Sequence, residues 1–180
     1  MYGLVNKGLQ EFLVKRHGEY FWQELKQEAG VENEVFSLMH SYDDTITYSL
    51  VMATCKKLSL NPEEFLMDFG KFWIPFSKSK GYEHYYQLGG DTMFDFLSYL
   101  DQMHANIKTS FPGMEPPSFR CERVDDDSFY LFYYSSREGL FPFVKGLAYG
   151  LAEHFSKTIE LKEVELDTDK YKKLLITVTS

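Results

Sequence analysis

The spacing of apolar residues changes once along the chain, at a proline- and glycine-rich segment near residues 112–117. Before this segment, apolar residues recur at intervals of three and four, which is typical of amphipathic helices. After it, short runs of aromatic and β-branched residues alternate with turn residues, which is typical of strands. This order predicts an α+β fold, in which an N-terminal helical subdomain packs against an antiparallel sheet that is accompanied by helices.

Capping residues and glycines mark the ends of the predicted helices. Gly18 is expected to close the first one, since glycine readily adopts the left-handed conformation found after a helix. Asp43 or Asp44, then Asn61 and Asp91, are expected to start later helices, because their side chains accept hydrogen bonds from first-turn amides. The predicted helices span about 2–17, 19–28, 44–58, 62–75 and 92–111.

Four strands are predicted in the second half of the chain. Their expected ranges are 119–122, 129–137, 158–166 and 171–178, with turns at 125–128 and 167–169. A helix from about Leu140 to Ser156 separates the second strand from the third, because helical spacing returns there. With 180 residues, the chain is long enough for one well-buried domain, so residues 1–180 are expected to form a single domain.

Composition excludes several classes of partner. The formal net charge is -8, and no large Lys/Arg cluster occurs, which argues against nucleic acid and anionic membranes as partners. The two cysteines, Cys55 and Cys121, form neither a CxxC pair nor a disulfide framework, which fits a reducing compartment. The N-terminus lacks a signal-peptide pattern, and no stretch of about twenty apolar residues occurs. The expected location is therefore the cytoplasm.

Catalytic motifs are not found. The acidic pairs at residues 43–44 and 63–64 lie at predicted helix starts, where capping explains them better than acid/base chemistry. The other histidines, apart from His104, have no metal-type spacing to one another or to a cysteine. No serine or cysteine lies in a nucleophile motif, so we do not expect the chain to be an enzyme.

Two features remain that suggest ligand chemistry. His104 takes an apolar position on the face of the fifth predicted helix, where it is either a core histidine or a ligand. In the second predicted strand Tyr133, Ser135 and Arg137 alternate, so an extended chain would point all three donors to one face. A flat apolar ligand with carboxylates at one edge would suit this combination. Aromatic residues make up 17% of the chain and can wall such a cavity or pack the core.

These features, taken in order, resemble the heme nitric-oxide/oxygen-binding (H-NOX) family, which includes the heme domain of soluble guanylate cyclase. The resemblance covers the whole chain and adds Pro117, which lies thirteen residues after His104, to the Tyr-x-Ser-x-Arg motif. The further matching segments are 1–6, 42–44, 69–71, 111–114, 117–121 and 137–140.

The resemblance implies a b-type heme between the helical part, about residues 1–60, and the ligating helices and sheet, about residues 61–180. His104 would be the axial ligand of the heme iron, with Leu100 on the same, proximal side. Tyr133, Ser135 and Arg137 would bind the heme propionates, since a guanidinium can make two charge-assisted hydrogen bonds to a carboxylate. Pro117 would press on the porphyrin and distort it.

Gas selectivity would depend on the opposite, distal side. Oxygen-binding members of the family carry a distal tyrosine three residues before a helix glycine. Counting back from Gly146 places Phe143 there, and phenylalanine has no donor. The oxygen-binding members also carry a polar partner for that tyrosine, and this sequence has Trp73 at the corresponding position. The indole N–H of Trp73 is the one hydrogen-bond donor expected near the distal side. Val5 and Leu147 would complete an apolar wall.

The expected function is therefore a nitric-oxide sensor, with carbon monoxide as a further ligand. Binding of nitric oxide would weaken the bond to His104, release its helix and relieve the distortion. Because the sequence ends at Ser180 without a cyclase, kinase or membrane segment, we expect the output to act in trans. The expected partner is a histidine kinase or a cyclic-di-GMP enzyme. The alternatives are an oxygen-binding member, a heme enzyme, and a heme-free interaction module.

Overall fold

Residues 1–111, 113–166 and 171–180 are described by the computed structural model. The expected helix stop at Pro112 and the expected turn at 167–169 lie outside this part of the chain. The elements are, in chain order, α1 (Gly3–Glu28), α2 (Asp44–Leu58), α3 (Pro62–Ser77), a π-helical turn (Lys78–Tyr82), α4 (Glu83–Leu88), α5 (Met93–Ser110), β1 (Ser118–Arg123), β2 (Ser128–Tyr134), α6 (Phe141–His154), β3 (Ile159–Val164) and β4 (Lys172–Val178). The predicted α+β class is confirmed.

Helix starts largely follow the capping residues. The Asp43 side chain accepts from the amide of Thr45 at 2.8 Å, and Asn61 caps α3 in the same way. The cap of α5 is Thr92 rather than Asp91, because the Thr92 hydroxyl accepts from the amide three residues later. The first two predicted helices are joined in α1, which has a non-helical kink at Gly18, with φ 85°.

The segment between α3 and α5 is more helical than the sequence indicated. Helix α3 continues past Pro75 to Ser77, and the π-helical turn and α4 follow it. Tyr86 of α4 is buried, and its hydroxyl pairs with that of Ser77 at 2.8 Å. This buried hydrogen bond fixes α4 against the end of α3.

The four strands form one antiparallel sheet in the order β1-β2-β4-β3. Phe119 of β1 pairs with Tyr133 of β2, whose inward-facing residues are buried in alternation. Strand β2 ends at Tyr134, three residues earlier than expected. The prediction that Ser135 and Arg137 lie on an extended strand is therefore wrong. The chain turns here, because the Ser135 hydroxyl accepts from the amide of Arg137 at 3.0 Å.

Two large hydrophobic clusters form the core, one among α1, α2 and α3 and the other among α5, α6 and the sheet. Helix α3 contributes to both, since Phe69 belongs to the first and Ile74 to the second. Helices α3 and α6 cross at Gly70 and Gly146, where a Cβ atom on Gly70 would lie 2.8 Å from the Cα atom of Gly146. The expected division of the domain near residue 60 stays a prediction.

None of the helices formed by the described residues is both long enough and apolar enough to cross a lipid bilayer.

Candidate functional site

A largely apolar cavity of about 470 Å³ lies where the first helices meet the sheet and α6. Its size falls within the range of about 300–1,000 Å³ that is usual for cofactor and ligand sites. Its walls come from α1, α2, α3, α6, β1, β2 and the segment before β1. The lining residues are Met1, Tyr2, Val5, Ser41, Tyr42, Thr47, Tyr48, Val51, Met52, Pro62, Leu66, Phe69, Gly113, Met114, Glu115, Pro116, Pro117, Phe119, Tyr133, Ser135, Arg137, Gly139, Leu140, Phe143, Val144 and Leu147.

Seven of the ten predicted site residues line this cavity. They are Val5, Pro117, Tyr133, Ser135, Arg137, Phe143 and Leu147. The other three, His104, Leu100 and Trp73, do not belong to the described lining. Trp73 packs against Phe143 and His104 packs against Phe119, and both phenylalanines line the cavity. Leu100 lies on α5 together with His104.

Arg137 forms the polar edge of the cavity. Its Nε donates to Oδ2 of Asp44 at 2.8 Å, and its Nη1 donates to the carbonyl of Glu115 at 2.7 Å. The Arg137 side chain is only 16% exposed, so its charge is partly shielded from water and needs these acceptors. One guanidinium thereby joins the start of α2 to the segment that leads into β1.

Asp44 supplies the carboxylate at this edge. Burial alone would raise its pKa, but hydrogen bonding to the amino group of Met1 and the positive charge of Arg137 outweigh this effect and lower the pKa of Asp44. The carboxylate is therefore charged at neutral pH. Arg137 consequently holds an anionic oxygen ligand at the edge of an apolar cavity.

Tyr133 lies deeper, on the inner face of β2. Its side chain is buried, and its ring stacks against that of Phe141, with 6.0 Å between centroids. Burial raises the pKa of the Tyr133 hydroxyl, while a hydrogen bond with Ser135 and the charge of Arg137 act in the opposite direction. Tyr133 is therefore a neutral donor at physiological pH.

His104 lies on α5, beside the cavity rather than in its wall. Its ring centroid is 5.9 Å from that of Phe119, which lines the cavity. Burial lowers the pKa of His104. The charge of Asp101 and a hydrogen bond with the Pro117 backbone act in the opposite direction, but burial outweighs them, so the imidazole is neutral. Among the described residues, none hydrogen-bonds its buried Nδ1.

Asp101 ties the His104 helix to the sheet. Its Oδ1 accepts from the amide of Phe119 at 2.6 Å, and its Oδ2 accepts from the hydroxyl of Ser118 at 2.9 Å. Leu100, the residue before it, is buried in the cluster between α5 and the sheet. A displacement of α5 would therefore pull on the start of β1.

The opposite wall is formed by apolar side chains from α1 and α6. Phe143 packs against Phe69, with ring centroids 5.1 Å apart, while Val5 and Leu147 lie beside it in the lining. Trp73 contacts Phe143 edge to face at 5.8 Å. The close crossing of α3 and α6 brings these aromatic rings together.

The sequence interpretation missed two residues on α2. Asp44 was interpreted as a helix cap, but its carboxylate also binds Arg137. Tyr48 lies one helical turn later, lines the cavity, and donates to the carbonyl of Glu138 at 2.9 Å. Their spacing of four places both on one face of α2, which was the only local signal available.

The family model described as Haem-NO-binding matches residues 2–163. The chain belongs to the H-NOX family. The resemblance inferred from the motifs is thus confirmed, and the cavity lies in the part of the chain that the match covers.

Curated relatives of this H-NOX domain are soluble guanylate cyclases. The chain is 28% identical to gcy-31 of Caenorhabditis elegans over 171 residues, which cover 93% of the chain and 24% of that protein. It is 34% identical to the beta-2 subunit of Rattus norvegicus over 96 residues, which cover 53% of the chain and 14% of that subunit. The chain therefore spans about a quarter or less of these relatives.

Solved structures share the fold. An H-NOX protein from S. oneidensis in the Fe(II)NO ligation state superposes with a TM-score of 0.91 at 20% identity, over 100% of both chains. An oxygen-binding H-NOX domain related to soluble guanylate cyclases, in its oxygen complex, superposes with a TM-score of 0.83 at 22% identity, over 100% of this chain and 96% of that one. The same fold is thus found in a nitric-oxide complex and in an oxygen complex.

Proposed function

We propose that this H-NOX domain binds heme b in the cavity and senses nitric oxide, with carbon monoxide as a second ligand. The observation that carries the proposal is the combination, in one apolar cavity, of a wall without hydrogen-bond donors and an edge that already binds a carboxylate. No catalytic role is proposed for any residue.

The residues around the cavity fit a porphyrin with carboxylate side chains. Arg137, which bonds to Asp44 in this structure, would hold the propionates, and Tyr133 and Ser135 would add one hydrogen bond each. The apolar lining would cover the macrocycle. Each charge-assisted bond is worth about 1.5–3 kcal/mol, so loss of Arg137 should weaken heme retention more than loss of Ser135.

His104 would serve as the axial ligand. Burial keeps its imidazole neutral, and a neutral imidazole is the form that binds iron. Its buried Nδ1 has no hydrogen-bond partner in the part of the chain that the structure describes, which supports a role beyond core packing, since an unsatisfied buried polar group costs about 1–3 kcal/mol. Leu100 would pack on this proximal side, and Pro117, which lines the cavity, would press on the porphyrin.

A bound ferrous heme would supply an iron centre that accepts a diatomic gas. Phe143, Val5 and Leu147 would form the wall on the distal side, and none of these side chains can donate a hydrogen bond. Dioxygen as a ligand gains strongly from a donor, whereas nitric oxide does not need one. The wall therefore favours nitric oxide.

Signal transmission would begin at α5. Release of His104 from the iron would free α5 to shift, and Asp101 would carry the shift to β1 through its bonds to Ser118 and Phe119. A partner that distinguishes the two arrangements would read the signal. We propose a histidine kinase or a cyclic-di-GMP enzyme, acting in trans in the cytoplasm.

An oxygen-binding sensor is the second candidate, because Trp73 contacts Phe143 of that wall and carries an N–H group. Absorption spectra of the purified ferrous protein, alone, in air and with nitric oxide, distinguish the two. The nitric-oxide proposal predicts that the ferrous protein forms no stable oxygen complex in air, and that its spectrum changes when nitric oxide is added. A stable oxygen complex would favour the second candidate, and a protein that stays colourless with added heme would indicate an interaction module.

Ligation is tested by His104→Gly, with His17→Gly as the control because His17 is exposed on α1. We expect His104→Gly to lose the wild-type ferrous spectrum and to regain it with added imidazole, while the control is unchanged. Wild-type coordination in His104→Gly would disprove the assignment. A heme enzyme would instead show steady-state turnover of peroxide that depends on Phe143 or Leu147.

A further inference from the structure

Tyr48 makes a contact beside the cavity that the proposed function does not use. It lies on α2, its half-buried side chain lines the cavity, and its hydroxyl donates to the carbonyl of Glu138 at 2.9 Å. Burial raises the pKa of Tyr48, so the hydroxyl keeps its proton at neutral pH. The contact joins the N-terminal helices to the turn that follows β2.

Asp44 and Tyr48 lie four residues apart on α2 and bind two consecutive residues, Arg137 and Glu138, of the turn after β2. They bind them in different ways. Asp44 binds the guanidinium of Arg137, at the end of a long side chain. Tyr48 instead binds the main chain at Glu138, and the Ser135 hydroxyl holds the amide of Arg137 from within the turn. The backbone that carries Arg137 is thus held independently of its side chain.

This difference matters when a carboxylate ligand enters the cavity. The ligand competes with Asp44 for the guanidinium, because both are anionic oxygen acceptors of the same donor groups. The hydrogen bond of Tyr48 goes to a main-chain carbonyl and does not involve the guanidinium. Arg137 can therefore change its acceptor without breaking the hydrogen bond between Tyr48 and Glu138.

We propose that Tyr48 is a positioning residue, which holds the turn from Ser135 to Gly139 over the cavity so that Arg137 faces the carboxylates of the bound ligand. The proposal rests on the proposed function, since the ligand in question is heme. Tyr48 acts through Arg137 and is not itself assigned a bond to the ligand.

The test is the rate at which the heme-loaded protein releases heme to an excess of a scavenging apoglobin, followed by absorption. Tyr48→Phe keeps the ring and removes only the hydroxyl. Loss of one neutral hydrogen bond corresponds to about a fivefold change, so we expect release to be about five times faster. The control is Tyr20→Phe, because Tyr20 is 78% exposed on α1, and it should match the wild type.

A second arm separates positioning from a general effect on stability. In the Arg137→Ala background, Tyr48→Phe should cause no further acceleration, because the residue that it positions is gone. A similar fivefold effect in both backgrounds, or release from Tyr48→Phe at the wild-type rate, would overturn the proposal. So would failure of Tyr48→Phe to fold, measured by circular dichroism. Failure of the wild type to bind heme would instead refute the proposed function.

Discussion

The crossing of α3 and α6 has no room for a side chain, so alanine substitution should disturb it. A Cβ atom on Gly146 would lie well inside van der Waals contact with the carbonyl oxygen of Met67 and 2.9 Å from the Cα atom of Gly70. These neighbours are backbone atoms of a packed helix and cannot turn aside. The two helices would have to separate, and the wall formed by Phe143 and Leu147 would move with α6.

The size of the effect follows from two opposing contributions. Overpacking of this kind costs about 1–3 kcal/mol or more, while replacing a helix glycine by alanine gains about 1 kcal/mol. Because these contacts are with backbone atoms, we take the upper end of this range, about 3 kcal/mol, and expect a net loss of about 2 kcal/mol for Gly146→Ala and for Gly70→Ala. For a chain of this length, that corresponds to a fall in melting temperature of about 4–8 °C.

Thermal unfolding of the two variants, followed by circular dichroism, measures this loss. Gly150→Ala on α6 is the control, since its Cβ atom would meet the Lys71 carbonyl oxygen at 2.8 Å and the Ile74 side chain at 2.9 Å, a milder approach. Because these contacts are also shorter than van der Waals distance, we expect a loss for Gly150→Ala that is smaller than that for Gly146→Ala. Equal melting temperatures for Gly146→Ala and Gly150→Ala would refute the argument that backbone contact sets the helix spacing.

Three smaller predictions concern single side chains. Burial raises the pKa of Cys121 to about 12, so only about one thiol in ten thousand is ionised at pH 8. A thiol reagent should therefore label Cys121 only after unfolding, and rapid labelling of the folded protein would contradict this burial. Asn61→Ala removes the cap of α3 and should cost about 1 kcal/mol, or about 2–4 °C in melting temperature, and an unchanged value would contradict the capping role. Because the pKa of Asp44 is lowered from 3.8, its contribution to stability is present above that pH and is lost as pH falls through the folded-state pKa. The difference in melting temperature between wild type and Asp44→Asn should therefore shrink in acid, and a constant difference down to the lowest pH would contradict it.

Local sequence rules predicted most of the secondary structure because the relevant interactions are local. The cap at Asn61 and the break at Gly18 depend on atoms within a few residues of each position. The same rules misplaced the end of β2, since the hydrogen bond from the Arg137 amide to Ser135 competes with strand extension. They also missed α4, whose position depends on the buried bond between Tyr86 and Ser77.

The site was predictable only in part. The motif residues Tyr133, Ser135 and Arg137 were found from their order in the sequence, and all three line the cavity. Their roles toward heme, and that of His104, stay predictions. The contacts of Asp44 and Tyr48 with the turn after β2 could not be predicted, because no rule based on neighbouring residues shows which distant segments will meet.

The three segments joined by Arg137 also bear on the order of folding. Asp44 and Arg137 are 93 positions apart along the chain, while Tyr48 and Glu138 are 90 apart, so these contacts close some of the longest loops in the molecule. Such contacts carry a high loop-closure entropy and few of them form before the surrounding elements have docked. We therefore expect the cavity mouth to be among the last parts of the protein to assemble. A nascent chain would then pass through a stage in which both hydrophobic clusters exist but the entrance is still open, and this stage offers a bulky prosthetic group its easiest entry.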